Sequence, residues 1–352
     1  MAKAKRIRGL KCNAPATAGI RLALVTRFGE MQSWRDAALD WTDPEGVHSM
    51  RVASRRLRST LRDFTPYLHK RRLSGAMKQL KNLANTLGEV RDHDVAITAL
   101  EELKTIAPAE LSHALNQFIA TRAGVRERAR KELAAAVETA ELKHLETKFI
   151  AALDEAIAVA NRPKKQKDDK PALTFTQMSR TVILDRLKDF EKRSEGLFKP
   201  LDVDALHDMR IAVKRLRYAL ELFSKCWPRT VAAQAKRVAR IQGALGDLHD
   251  CDVWIGSFGK QIIRARKQKD KQQVAVLLWL LSHFVRLRTK HLHRAFACWR
   301  EWETQDVSGK LRAALEPPTP PEPAAEPPSP EPPPPAQTQP DQAGGEQMRQ
   351  GL

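Results

Sequence analysis

From about Ala14 to Glu303, apolar residues recur at three- and four-residue spacing in a background rich in Ala, Leu, Arg, Glu and Lys. No stretch sustains a two-residue alternation or the β-branched, aromatic enrichment of strands. The pattern predicts an all-α chain. Two segments interrupt it. RPKKQKDDKP, Arg162 to Pro171, is charged and bounded by prolines, which marks an exposed linker. From Glu316 onward thirteen prolines fall among 37 residues, which predicts a disordered, polyproline-rich tail without packed structure. The expected organisation is a basic N-terminal segment (1–12), a folded region (13–304) with halves 13–161 and 172–304 about the linker, and an acidic Pro-rich tail (305–352). The most apolar run, Val274 to Val285, is broken by Ser282 and His283. It is about a dozen residues long where a membrane span needs ~20, so it reads as a buried helix.

The linker separates two similar halves. VHSMRVASRRLRSTL (Val47 to Leu61) is matched by LHDMRIAVKRLRYAL (Leu206 to Leu220), 159 residues on. LGEVRDHDV (Leu87 to Val95) is matched by LGDLHDCDV (Leu245 to Val253), 158 residues on. A weaker third echo sets Arg122, Arg126 and Arg130 against Arg286, Lys290 and Arg294. Three segments recurring in one order imply duplication of a multi-helix unit.

Thr42-Asp43-Pro44-Glu45 supplies a helix start of capping-box type before the first motif, and Asp202 stands at the place of Asp43 before the second. At about 100° per residue, His48, Arg51, Arg55, Arg58 and Arg62 fall within roughly 80° of one another. Met50, Ala53, Leu57, Leu61 and Phe64 take the opposite side. The second half repeats this with His207, Arg210, Lys214 and Arg217 against Met209, Ala212, Leu216, Leu220 and Phe223. Like charges at this spacing repel, by ~0.2–0.5 kcal/mol per pair in isolated helices, so a stripe kept through duplication points to a bound anion rather than a solvated face. On the second motif helix, Asp94 and Asp252 continue the apolar stripes of Leu80, Leu83, Leu87, Val90 and of Val238, Ile241, Leu245, Leu248. Buried carboxylates need partners, and the His and Arg residues of the first motif are the ones predicted, in a supporting role. Asp92 and Asp250 lie further round and read as solvent-facing.

Charge sharpens this picture. Lys and Arg outnumber Asp and Glu by 61 to 42, for a formal charge of +19. The stretch from Glu316 carries −5, leaving +24 on the part before it. Nucleic acid, an anionic membrane and polyphosphate all suit such an excess. The four cysteines, Cys12, Cys226, Cys251 and Cys298, are widely spaced without a CxxC pair, which argues against a disulfide framework and for a reducing compartment. MAKAKRIRGLK is followed by no apolar run, so no signal peptide is read, and a cytoplasmic protein is expected.

Enzymatic signatures are missing. No phosphate-binding P-loop, dinucleotide fingerprint, nucleophile elbow or ExExK triphosphatase signature is present, so the chain reads as non-enzymatic and cofactor-free. His93-Asp94 and His249-Asp250 suggest a metal phosphohydrolase pair but are out of register: His93 aligns with Cys251, and His249 with Arg91. Neither His249, Cys251 and Asp252 nor His291, His293 and Cys298 has zinc spacing. Nucleic acid remains the rival polyanion. Against it, only Tyr218 brings an aromatic ring to the basic motifs, and both basic helices carry a packed face rather than standing free as a recognition helix.

The two copies of H-x-M-R-[VI]-A-x-[RK]-R-L-R, each followed by L-G-x-x-[RH]-D-x-D-V, resemble the CHAD family, the conserved-histidine α-helical domain, over roughly Asn13 to Trp302. The resemblance implies two pseudo-symmetric four-helix bundles with the motif helices lining a basic central groove or pore. It also implies binding of long-chain inorganic polyphosphate, in some members with association to polyphosphate or polyhydroxyalkanoate granules. Carried onto matching positions, it assigns anion contacts to His48, Arg51, Arg55, Arg58, His207, Arg210, Lys214 and Arg217. Arg62, Arg91, Arg122, Arg126, Arg286 and Lys290 extend that candidate set. His249 in place of the motif Arg, and Glu221 where Arg62 stands, predict weaker binding by the second half. A granule scaffold is the other alternative use of the same features.

Overall fold

The computed structural model describes residues 4–161 and 172–316. The linker and the tail from 317 onward lie outside them. Six helices form the first half: α1 (Ala16–Gln32), short α2 (Arg35–Leu39), α3 (Glu45–Phe64), α4 (Lys70–Leu103), α5 (Ser112–Ala136) and α6 (Thr139–Ala160). Five follow in the second: α7 (Phe175–Arg193), α8 (Val203–Phe223), α9 (Arg229–Lys267), α10 (Lys271–Thr304) and α11 (Val307–Ala314). The all-α prediction holds, with no strand among the described residues beyond an isolated bridge between Pro15 and Thr174. That bridge joins the starts of α1 and α7, so the two halves meet at matched positions.

The helix starts follow local chemistry. Thr174 and Gln177 form a full capping box on α7, and Asp202 accepts from Ala205 N at 2.9 Å on α8. The box expected on α3 does not form. Thr42 donates its hydroxyl to Asp40 instead, and Asp43 accepts from Glu45 N at 2.8 Å in a turn ahead of the helix. The apolar faces behave as read: Met50, Ala53, Leu57, Leu61 and Phe64 are buried, as are Met209, Ala212, Leu216, Leu220 and Phe223.

Matched elements pack alike. α3 leans on α4 and α8 on α9, while α1 and α7 cover the motif helices. The halves share a core rather than owning one each, because one buried apolar cluster runs from Ile7 to Leu315. At its centre the ring of Phe64, ending α3, lies 6.0 Å from that of Phe223, ending α8, and Phe175 touches both. A second cluster joins the outer ends of the α4–α5 and α9–α10 hairpins, through Phe118 and Phe258 among others.

Two predicted boundaries move. The folded unit extends to Leu315, since α11 buries Val307 and Leu311 and so belongs to the core rather than to a tail beginning at 305. The basic N-terminal segment is also packed, with Ile7 and Leu10 buried and Cys12 bonded to Cys226, 214 residues away. The cysteine spacing therefore conceals a disulfide, against the reading of no such framework, and it no longer supports a reducing compartment. Cys251 and Cys298 are free. Val276, Leu277, Leu280 and Phe284 bury one side of α10, and no helix among the described residues is long and apolar enough to cross a membrane.

Candidate functional site

The motif helices α3 and α8 pack against each other, and their polar faces converge. Lys214 is pushed down to about 7, first by burial and then by Arg55, Arg210, Arg62 and Arg215. Arg210 is lowered by burial and by Arg55 and Arg51, with Asp250 opposing. Arg51 is lowered by burial and by Arg55 and Arg91. Cations from both halves thus share one partly desolvated groove. Among the described residues, Arg55, Arg58, Arg62, Arg210 and Lys214 form no ion pair. A cleft of about 520 Å³ opens beside them, with Arg51, Arg55 and Arg58 on the α3 wall and Asn85, Glu89, Asp92 and His93 on the α4 wall.

Two candidates are partly neutralised. Arg51 pairs with Asp92 at 2.9 Å, and Arg217 with Glu221 at 2.7 Å. The motif histidines are less basic than a free imidazole. His48 is lowered by burial and then by Arg91, and His207 by burial, Arg210 and Lys214. The second half holds an extra imidazole: His207 Nδ1 and His249 Nδ1 stand 3.3 Å apart, and burial with Arg210 drives His249 down to about 4.

The supporting carboxylates differ from the prediction. Asp94 is buried as expected, but it faces Arg126 and Arg130 on α5, at 3.6 and 3.7 Å, not the motif helix. Asp252 pairs with Arg288 on α10 at 2.6 Å. Asp92 and Asp250 are exposed, as read, and they are also the acids set against Arg51 and Arg210. Their recurrence in both halves was the available signal for that second role.

The outer candidates scatter. Arg91 reaches the groove, where it depresses His48 and Arg51. Arg126 is held at Asp94 and Glu127. Arg122 stacks on Phe118 and Trp254 in the hairpin cluster, 5.2 and 4.6 Å from the ring centres, so it fastens the halves together. Arg286 is exposed on α10 beside His283, and Lys290 is exposed one turn on. The third echo had the wrong register. Arg130 faces Asp94 and donates to the Trp41 carbonyl, and Arg288 faces Asp252 and donates to the Pro200 carbonyl. The true offset is 158, that of the second motif. No group of three or more His, Cys, Asp or Glu positioned for a metal occurs among the described residues.

Fold and site together define an internally duplicated helical protein with a cationic groove where its two repeated helices meet. The CHAD domain model matches residues 22–258, and the chain belongs to the CHAD family. The crystal structure of the CHAD domain from the plant Ricinus communis superposes with a TM-score of 0.63 at 21% identity, covering 89% of this chain and 96% of that one. PptA from Streptomyces chartreusis is similar with a TM-score of 0.56 at 16% identity, over 82% of this chain and 100% of that one. At these identities the likeness is one of fold. No curated protein matches the chain.

Proposed function

We propose that the protein binds long-chain inorganic polyphosphate, without turnover, in the groove between α3 and α8. The observation that carries this reading is the convergence of cations from both halves at one place, where, among the described residues, Arg55, Arg58, Arg62 and Lys214 form no ion pair and Arg210 is opposed by Asp250. Holding such charges together in a desolvated groove opposes folding, and a ligand that supplies closely spaced phosphates offsets that cost. Arginine suits the task because its planar fork engages two phosphate oxygens and stays charged, while Lys214 supplies a point charge. A long polymer engages both halves at once and gains over short oligophosphates through effective concentration. Such binding would serve storage-granule localisation or regulation.

The test is a competition titration at fixed salt and pH 7, in which labelled long-chain polyphosphate is displaced by unlabelled polymer, short oligophosphate, single-stranded DNA or duplex RNA. Long polyphosphate should compete best, and a variant carrying His48→Ala, Arg51→Ala and Arg55→Ala should lose the preference. Affinity should also fall steeply with salt through counterion release, as it does for nucleic acids. Equal competition by nucleic acids, with the variant unaffected, would show a general basic surface instead.

A further inference from the structure

Duplication kept guanidinium groups at several matched positions of the two basic stripes. Arg51 matches Arg210 and Arg58 matches Arg217, but Arg55 is matched by Lys214. Lys214 is therefore the one primary amine of the two stripes. It is partly buried on α8. Its strongest neighbours are Arg55 and Arg62 on α3, with Arg210 and Arg215 on its own helix. His207 on α8 and His249 on α9 also feel its charge, and Asp250 on α9 is set against Arg210. Among the described residues Lys214 forms no ion pair. An amine held among guanidinium groups and partly out of water is favoured in its neutral, nucleophilic form. Its arginine neighbours stay charged and able to hold a phosphate.

We propose that Lys214 is a covalent modification site for acyl phosphates, whose phosphate the groove arginines hold while the amine attacks the adjoining carbonyl, and that the product binds polyanion more weakly. This rests on the reading of the groove as a phosphate site. The lone pair of the neutral Nζ adds to the carbonyl carbon. The bond from that carbon to the phosphate oxygen then breaks, its electron pair stays on oxygen, and inorganic phosphate leaves. The nitrogen gives up one proton to solvent, and an Nζ-acyl amide remains. The amide is neutral at every pH, so the groove loses the point charge that Lys214 supplies to a polymer. The two anions act on the amine differently. An acyl phosphate is at most a dianion facing four guanidinium groups, so it leaves a cationic excess and a neutral amine in place. A long polymer reverses the local charge, protonates Lys214 and shields it. Arg55, at the matched position, keeps its proton and does not react in this way.

The experiment uses the full chain, acetyl phosphate as donor, and N-acetoxysuccinimide as a donor without phosphate. Acetylation of each lysine is followed by peptide mass spectrometry between pH 6 and 9, with exposed Lys188 and Lys260 as internal references. With acetyl phosphate at pH 7, Lys214 should react about tenfold faster than the references or more. That advantage should shrink with the donor that lacks phosphate. The rate at Lys214 should level off above about 7, where the amine is already neutral, while the references keep rising through pH 9. Long-chain polyphosphate should protect Lys214 selectively. Protein acetylated at Lys214, and the Lys214→Gln variant, should bind the polymer severalfold more weakly at pH 7. Lys214 reacting no faster than the references, or favoured equally by both donors, would overturn the proposal. Unchanged polymer affinity after acetylation would overturn the weakening. If the polymer binds yet leaves Lys214 unprotected, it lies elsewhere and the groove reading falls, whereas the acylation is judged on the donor comparison alone.

Discussion

At the scale of single residues, Lys214 is the group in the groove poised to titrate near neutrality. Its amine is depressed to about 7 by burial and four neighbouring arginines. Above its unfolded value a depressed lysine is neutral in both states and costs nothing; as pH falls from there toward 7 the unfolded chain takes up the proton and the fold loses stability, because the charged form is disfavoured in a cationic site. A polyanion favours the charged form and raises the value again. Polyphosphate affinity should therefore rise as pH falls from about 9 to 7, by at most about tenfold per pH unit, and flatten below. Lys214→Arg should remove most of that slope in titrations across this range, while a slope unchanged in the variant would assign the proton elsewhere. The carboxylates give a second contrast. Asp92→Asn frees the Arg51 guanidinium and should tighten polymer binding without loss of stability. Asp94→Asn leaves Arg126 and Arg130 without their buried partner and should cost about 1–3 kcal/mol in chemical denaturation, with affinity of the folded protein unchanged. Loss of affinity in the Asp94 variant alone would restore the role first read for it.

At the scale of elements, duplication left the same helix approach built two ways. A Cβ on Gly46, at the start of α3, would fall 1.8 Å from the Ala37 carbonyl oxygen on α2. In the second half Ala205 takes the place of Gly46, and the glycine moves to the other partner: a Cβ on Gly196 would fall 2.7 Å from the Ala205 carbonyl oxygen. The clash is with backbone in both cases, so no rotamer change relieves it. Gly46→Ala should lower stability by at least about 1–3 kcal/mol in denaturant titrations, the range for overpacked cores. A neutral substitution would mean that α2 can move away freely. The helical faces of α3, α4, α8 and α9 were legible in the sequence because burial follows the angular position of residues on one helix. The failed capping box on α3 and the shifted register of the third echo were not, since each depends on a residue outside its own helix: Asp40 claims Thr42, and Trp41 and Pro200 receive Arg130 and Arg288.

At the scale of the whole molecule, the contacts that fasten the halves include the phenylalanine cluster of Phe64, Phe175 and Phe223, the hairpin contact around Arg122 and Trp254, and the Cys12–Cys226 disulfide. The disulfide pins the N-terminal segment, which precedes the first half, to the loop after α8 in the second. Closing a loop of that length restricts the unfolded chain, and a contribution of about 2–5 kcal/mol is typical for such a bond. In oxidising buffer Cys12→Ser should unfold at lower temperature than wild type. Reductant should bring wild type down to the same value and leave the variant unchanged; equal melting of both in oxidising buffer would show that the bond contributes nothing.

By itself the sequence determined the helical class, the duplication, the packed and basic faces of α3 and α8, and the family, because each is written in local periodicity or in the repetition of one segment by another. The tertiary structure decided who meets whom. Cys12 finds Cys226, Asp92 rather than Asp94 finds Arg51, Arg122 leaves the groove for Trp254, and His207 comes to lie against His249. Such pairings depend on the rotation and offset of one helix against another, set by the summed fit of the shared core, and no single helix carries that information in its own residues.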